Sequence, residues 1–181
     1  TSPLATGGTD VTTPTTDSDG NGNPDVQEVP QLTFGTAAND TIATTSVGNF
    51  ENWAWGGLGN DSLTSTANFA TLFGGGGNDT LTVGSSTNGA YLVGGTGSDT
   101  YIVGSGKTAF IADLGSSAGD TLIATSIGFN DPNTFALTID NRHLMVFNQV
   151  TGTTIFLIDW QSAANQIESV QLSDGTYSYA F

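Results

Sequence analysis

The sequence predicts an all-β chain organised as a parallel β-roll with a C-terminal antiparallel β cap. Three observations carry that expectation. A nine-residue glycine–aspartate pattern recurs through the middle of the chain, an apolar residue follows each of its aspartates at a fixed offset, and no segment carries a convincing helical stripe. The 181 residues suffice for one domain of ordinary size or two small ones. Only 36% of them are hydrophobic, which suits a thin coil with one apolar residue per strand better than a thick globular core.

Three segments share the pattern Gly-Gly-x-Gly-x-Asp-x-apolar-x: GGLGNDSLT at 56–64, GGGGNDTLT at 74–82 and GGTGSDTYI at 94–102. Weaker copies flank them, GTAANDTI at 35–42 and GSSAGDTL at 115–122. The aspartates Asp40, Asp61, Asp79, Asp99 and Asp120 are separated by steps of 21, 18, 20 and 21 residues. Two residues beyond each stands Ile42, Leu63, Leu81, Tyr101 or Leu122. Steps of this length make two short strands and two turns, one full circuit of a coil. Glycine lets the turn take positive φ, and the apolar residue starts a strand and points inward. The intervening half-turns should supply a second apolar stack from Ala54, Leu72 and Leu92.

Stacked circuits lie about 4.8 Å apart, which brings the aspartates into a column. Bare carboxylates at that spacing repel by roughly 3–4 kcal/mol per pair at an effective dielectric of about 20. A cation between them removes the repulsion. Oxygen donors without His or Cys, in a flexible cage, select Ca²⁺ over zinc and suit it better than Mg²⁺. Charge agrees: 17 acidic residues face only Lys107 and Arg142, a net charge of −15. Such a chain repels nucleic acid and anionic membrane surfaces. No apolar run approaches membrane-span length, so membrane insertion is not expected. With no cysteine, ions rather than disulfides would have to staple the fold.

The repeats resemble the RTX family, the calcium-binding nonapeptide repeats of proteins exported by bacterial type I secretion. The resemblance implies that Asp61, Asp79 and Asp99 ligate calcium through their side chains. Carbonyls of the adjoining turns would help, at Gly57, Gly59, Gly75, Gly77, Gly95 and Gly97. Asp40 and Asp120 are further candidates in turns that lack the glycine pair. The family's usual roll carries the motif twice per circuit. Here the opposite half-turns STANFATLF (65–73) and SSTNGAYLV (85–93) contain no Asp, so a one-sided column is expected, with Asn and small residues on the other edge.

Three regions follow. Residues 1–30 read as a polar arm, 31–123 as the roll and 124–181 as a β-rich cap. Within the arm, DSDGNGNPDVQE resembles the calcium loops of EF-hands, dockerins and thrombospondin type 3 repeats. Its candidate ligands are Asp17, Asp19, Asn21, Asn23, Asp25 and Glu28, with Gly22 at the sharp turn. Flanking helices are missing, and Pro24 stands where EF-hands place an apolar residue. In the cap, alternating runs at 134–139, 144–147, 154–158 and 170–172 are separated by turn signals, the pattern of an antiparallel meander. Its Asp159-Trp160, Ile167-Glu168 and Asp174-Gly175-Thr176 resemble the segment that closes RTX rolls and leads into their export signal.

No catalytic constellation emerges. His143 is the single histidine and falls in a hairpin, thiols are absent, and no paired carboxylates stand outside the metal motifs. The expectation is therefore a non-enzymatic, calcium-folded structural or interaction protein, secreted or held at a bacterial cell surface. A surface layer, filament or adhesin component fits that description. The alternative is the calcium-folding and type I secretion module of a larger enzyme, toxin or adhesin, for the chain opens at Thr1 rather than Met. Ice binding ranks third, because the outward positions Thr36, Leu58, Gly76 and Thr96 break the rank of threonines it would need. Trp53 and Trp55 could stack on a cell-surface glycan, but covering the end of the roll is their expected role. A homo-oligomer or filament, joined head-to-tail through the arm or the first turn, is the expected assembly.

Overall fold

A computed structural model describes residues 31–44, 52–67, 69–84, 89–115 and 119–178. Among these residues the chain is all-β, without a helix, and its stacked parallel strands form a β-solenoid. The expected roll is the observed architecture. Each circuit contributes one strand to each of two sheets. The first sheet takes β1 (Gln31–Phe34), β3 (Asn52–Leu58), β5 (Ala70–Gly76), β7 (Gly89–Thr96) and β9 (Thr108–Ile111). The second takes β2 (Thr41–Thr44), β4 (Ser62–Ser65), β6 (Thr80–Val83), β8 (Thr100–Val103) and β10 (Thr121–Ala124).

Strict alternation on these strands sorts the side chains. Inward positions on the second sheet stack Ile42, Leu63, Leu81, Tyr101 and Leu122 in parallel register, all buried. Ala54, Leu72, Leu92 and Ile111 form the facing stack on the first sheet. Two side chains meeting across so narrow a lumen fill it, so few hydrophobic residues suffice. Residues between them face out. On the second sheet these are mainly hydroxyls, as in the rank Thr41, Ser62, Thr80, Thr100 and Thr121. On the first sheet they are large and apolar. One rank there runs Leu32, Trp53, Thr71, Tyr91 and Phe110 across five strands.

The C-terminal segment is less separate than its composition suggests. β11 (Thr134–Ile139), β12 (His143–Asn148) and β13 (Thr154–Leu157) make three strands of the expected antiparallel meander, while the fourth run, 170–172, falls in the second sheet instead. Its first turn places Asp140 and Asn141 at positive φ, 53° each. β13, however, also pairs in parallel with β9, and β14 (Ser169–Leu172) pairs in parallel with β10. These two strands therefore add a further circuit to the roll, and β15 (Gly175–Ser178) closes the second sheet by an antiparallel hairpin. Between β13 and β14 the chain makes a pair of tight turns, with Ser162 N–H donating to the Asp159 carbonyl and Asn165 N–H to that of Ser162.

Trp53 and Trp55 correct an expectation. With Ala54 facing the lumen, period-2 alternation turns both rings onto the outer flank of the first sheet, where they meet Phe73 at ring-centroid distances of 6.1 and 5.7 Å. They do not lie across the end of the roll.

Candidate metal centre

The glycine pattern places the aspartates. At Gly75 the backbone has φ +112°, and a Cβ there would collide with the Gly57 carbonyl of the circuit beside it. Only glycine allows turns to stack backbone on backbone at this distance. The glycine before it, Gly74, has another constraint: a Cβ would run into Oδ2 of Asp79 and come 2.6 Å from the Gly94 carbonyl oxygen. Carboxylate and carbonyl thus converge on one spot at the edge of the roll. Gly56 bears the same relation to Asp61 and the Gly74 carbonyl.

Each carboxylate has two oxygens with different fates. Oδ1 of Asp61, Asp79, Asp99 and Asp120 accepts the backbone N–H of the preceding aspartate in the column, at 2.7–2.8 Å. Glu168 ends the series: its Oε2 accepts from Asp120 N at 2.8 Å and Gly119 N at 3.1 Å. Beside this column runs a second, of opposite polarity. Asn60 N–H donates to Asn39 Oδ1, Asn78 N–H to Asn60 and Ser98 N–H to Asn78, at 2.8–2.9 Å. Adjacent circuits are therefore tied in both directions.

Oδ2 is the informative atom. In Asp61, Asp79, Asp99 and Asp120 it is buried and has no hydrogen-bond partner, in side chains at most 2% exposed. An anionic oxygen in that position is costly unless it is protonated or meets a cation. Burial is the first cause that pushes Asp99 and Asp120 up to about 7, opposed by the N–H each accepts and reinforced by neighbouring carboxylates. Burial raises Asp79 as well.

The column gains a third carboxylate at its C-terminal end. Asp99, Asp113 and Asp120, all buried, present oxygens within 4.8 Å of one another, a cluster that could hold a metal ion. Asp113 follows Ala112 out of β9 and lies beside Gly94, the position that glycine occupies in the preceding circuits; its carbonyl accepts Gly95 N–H. Tyr101 fixes it there. The phenol donates to Asp113 Oδ1 at 2.6 Å and accepts Gly94 N–H at 3.0 Å. Gly115 N–H donates to Asp113 Oδ2 at 3.1 Å. Burial raises Asp113 too, against those hydrogen bonds.

Asp40 differs from the other aspartates. It is half-buried, and its Oδ2 accepts Thr36 N–H at 2.6 Å and the Thr36 hydroxyl at 2.9 Å. Asp120, despite its degenerate turn, shares the geometry of Asp61, Asp79 and Asp99. The arm residues Asp17, Asp19, Asn21, Asn23, Asp25 and Glu28 lie outside the described residues. Sequence reasoning passed over Asp113, Glu168 and the asparagine column as site residues. The signal for Asp113 was Tyr101, a hydroxyl where other circuits have Leu or Ile.

Away from the column, His143 is tied down at the start of β12, where its Nδ1 accepts Asp159 N–H at 3.1 Å and Arg142 pairs with Asp159 at 2.8 Å. A cavity of about 260 Å³ near the C-terminal end is lined mainly by apolar side chains, among them Ile127, Leu144, Trp160 and Leu172.

The residues present fit a hard cation: oxygen donors alone, four orphaned carboxylate oxygens, and glycine cradles that hold carbonyls beside them. Fold and site together define a β-solenoid with a buried carboxylate column along one edge. Among known proteins, no family model matches the chain and no curated protein matches it.

Proposed function

We propose that this chain is an extracellular, calcium-folded structural protein of the RTX type, exported by a bacterial type I route and assembled at the cell surface. The single observation that carries the reading is the set of four buried Oδ2 atoms without a partner. Asp61, Asp79, Asp99 and Asp120 would hold calcium, with carbonyls such as Gly74 and Gly94 beside them and Asp113 added at the last turn. Calcium would supply the positive charge that lets the acid column close. The residues themselves set the register through Oδ1, exclude water and keep the carbonyls aimed at the edge. Coupling of ion binding to folding follows, because the unfolded chain has no preformed site. Export would then precede folding, since millimolar calcium is met only outside the cell. No enzymatic role is proposed, because the histidine is tied to Asp159 and stands apart from the acid column.

One observation favours the runner-up, a calcium-folding and secretion module of a larger protein. Thr33, at an inward position of the first circuit, is exposed, as though a preceding domain could cover it. Locating the native start codon separates the two readings.

The test of the main reading is a far-ultraviolet circular dichroism titration. In chelator the β signal should be largely lost, and millimolar calcium should restore it while magnesium at equal concentration restores little. A β spectrum indifferent to chelator sinks the proposal.

A further inference from the structure

The first sheet leaves a broad apolar flank. Leu32, Phe34, Trp53, Trp55, Tyr91 and Phe110 all project from it and remain between 36% and 67% exposed. At roughly 150–250 Å² per aromatic side chain, they leave about 600 Å² of apolar surface in contact with water. That stands at the top of the roughly 300–600 Å² range of an ordinary monomer's largest patch and approaches the ~800 Å² that each partner buries in a stable protein–protein interface. Phe135 and Leu137, exposed on β11 of the same sheet, extend it.

Charge narrows the occupant. The chain carries −15, yet no outward residue of β1, β3, β5, β7 or β9 is charged. Among the described residues, the column aspartates with Asp113 and Glu168 stand on the turn edge instead, and Asp131, Asp140, Asp159 and Asp174 in turns of the C-terminal segment. A basic or acidic partner finds nothing to pair with on this flank. A glycan would need polar side chains for its hydroxyls as well as rings to stack on, and the outward ranks offer little beyond Thr71, Thr108 and the Tyr91 hydroxyl. The surface fits another uncharged, apolar, ridged sheet. The second sheet of the same protein, ranked with Thr and Ser, does not provide one.

We propose that two copies of this chain pack face to face through their first sheets, an isologous dimer centred on the Trp53–Trp55–Phe73 and Tyr91–Phe110 ridges. Sheets stacked this way lie about 10 Å apart, close enough for the rings to interdigitate. A two-fold contact keeps each acidic edge at the margin of the dimer, open to ions and solvent. The inference rests on the calcium-folded reading and names the surface through which assembly begins.

Sedimentation velocity of the full chain in millimolar calcium tests it, with circular dichroism on the same samples. The expected species has twice the 18.5 kDa chain mass. Trp55→Lys and Tyr91→Lys, at exposed positions of the flank, should weaken association on the order of 100-fold while leaving the β spectrum in saturating calcium unchanged. Thr82→Lys, on the outer face of the second sheet, should leave the dimer intact. A folded chain that stays monomeric at high concentration overturns the inference, as does assembly indifferent to both flank variants. A folded monomer whose tryptophan fluorescence shifts with a soluble neutral polysaccharide likewise overturns it, in favour of a glycan surface. A chain that shows no calcium-dependent β signal fails earlier, at the functional reading.

Discussion

The two ends of the acid column solve the same problem differently. At the start, Asp40 turns its second oxygen back onto its own turn, to the amide and hydroxyl of Thr36, and stays half in water. At the other end, Asp99 and Asp120 bury theirs without a partner and are joined by Asp113. The first is a finished hydrogen-bonded turn; the second is complete only with a proton or a cation. The difference teaches that spacing alone does not make a site. What counts is whether the rest of the turn leaves the second oxygen something to bond.

The largest contrast should come from removing one carboxylate at each end. Asp99→Ala deletes a buried acceptor inside the three-carboxylate cluster and should cost roughly 3–5 kcal/mol in calcium, by analogy with breaking other buried charge pairings. Asp40→Ala loses only exposed hydrogen bonds and should cost about 1 kcal/mol. Asp79→Ala should fall nearer the first. Urea unfolding in fixed calcium checks the order, and equal shifts for Asp40 and Asp99 would erase the distinction between the ends.

Acidity offers a second way to separate them. Without metal, Asp99 and Asp120 in the fold hold protons up to about pH 7, whereas an aspartate with the ordinary value of 3.8 has released its own far below that. The fold then binds protons that the unfolded chain has lost, so stability is full below about pH 4 and drains away as pH rises to 7. In chelator, acidification from pH 7.5 to 4 should restore part of the β signal. Asp113→Asn should reduce that recovery. A chelated chain whose spectrum ignores pH over this range would mean that the buried carboxylates do not govern folding.

The smallest effect belongs to the hydroxyl that positions Asp113. Tyr101→Phe keeps the ring in the lumen but takes one donor from Asp113 and one acceptor from Gly94. A loss of about 1–2 kcal/mol is expected. The calcium midpoint should rise in this variant by more than in a Leu81→Ile variant of equal stability loss, at the matching position of an earlier circuit. Identical calcium midpoints for wild type and Tyr101→Phe would remove the phenol from the site.

The sequence by itself determined the circuit. Steps of 18–21 residues, the glycine turns and the apolar residue two beyond each aspartate fix which side chains face inward, because strand alternation leaves no freedom once one position is set. The edge on which the aspartates gather was legible for the same reason. Ala54, Leu72 and Leu92 stand in their expected stack, and β11, β12 and β13 fall where the first three alternating runs place them.

Tertiary structure decided what local pattern could not carry. That β13 and β14 extend the roll depends on pairing with β9 and β10 over long stretches of chain. Glu168 ends the column from 48 residues beyond Asp120, at a distance no repeat encodes. Asp113 lies outside the motif by sequence, yet it stands beside Gly94 because strand register, not residue type, sets which positions face across adjacent circuits. Trp53 and Trp55 obey alternation on β3, but only the assembled sheet joins them to Phe73, Tyr91 and Phe110 as one flank. A repeat dictates contacts between equivalent residues; where the chain departs from it, only the packed fold brings unlike residues together.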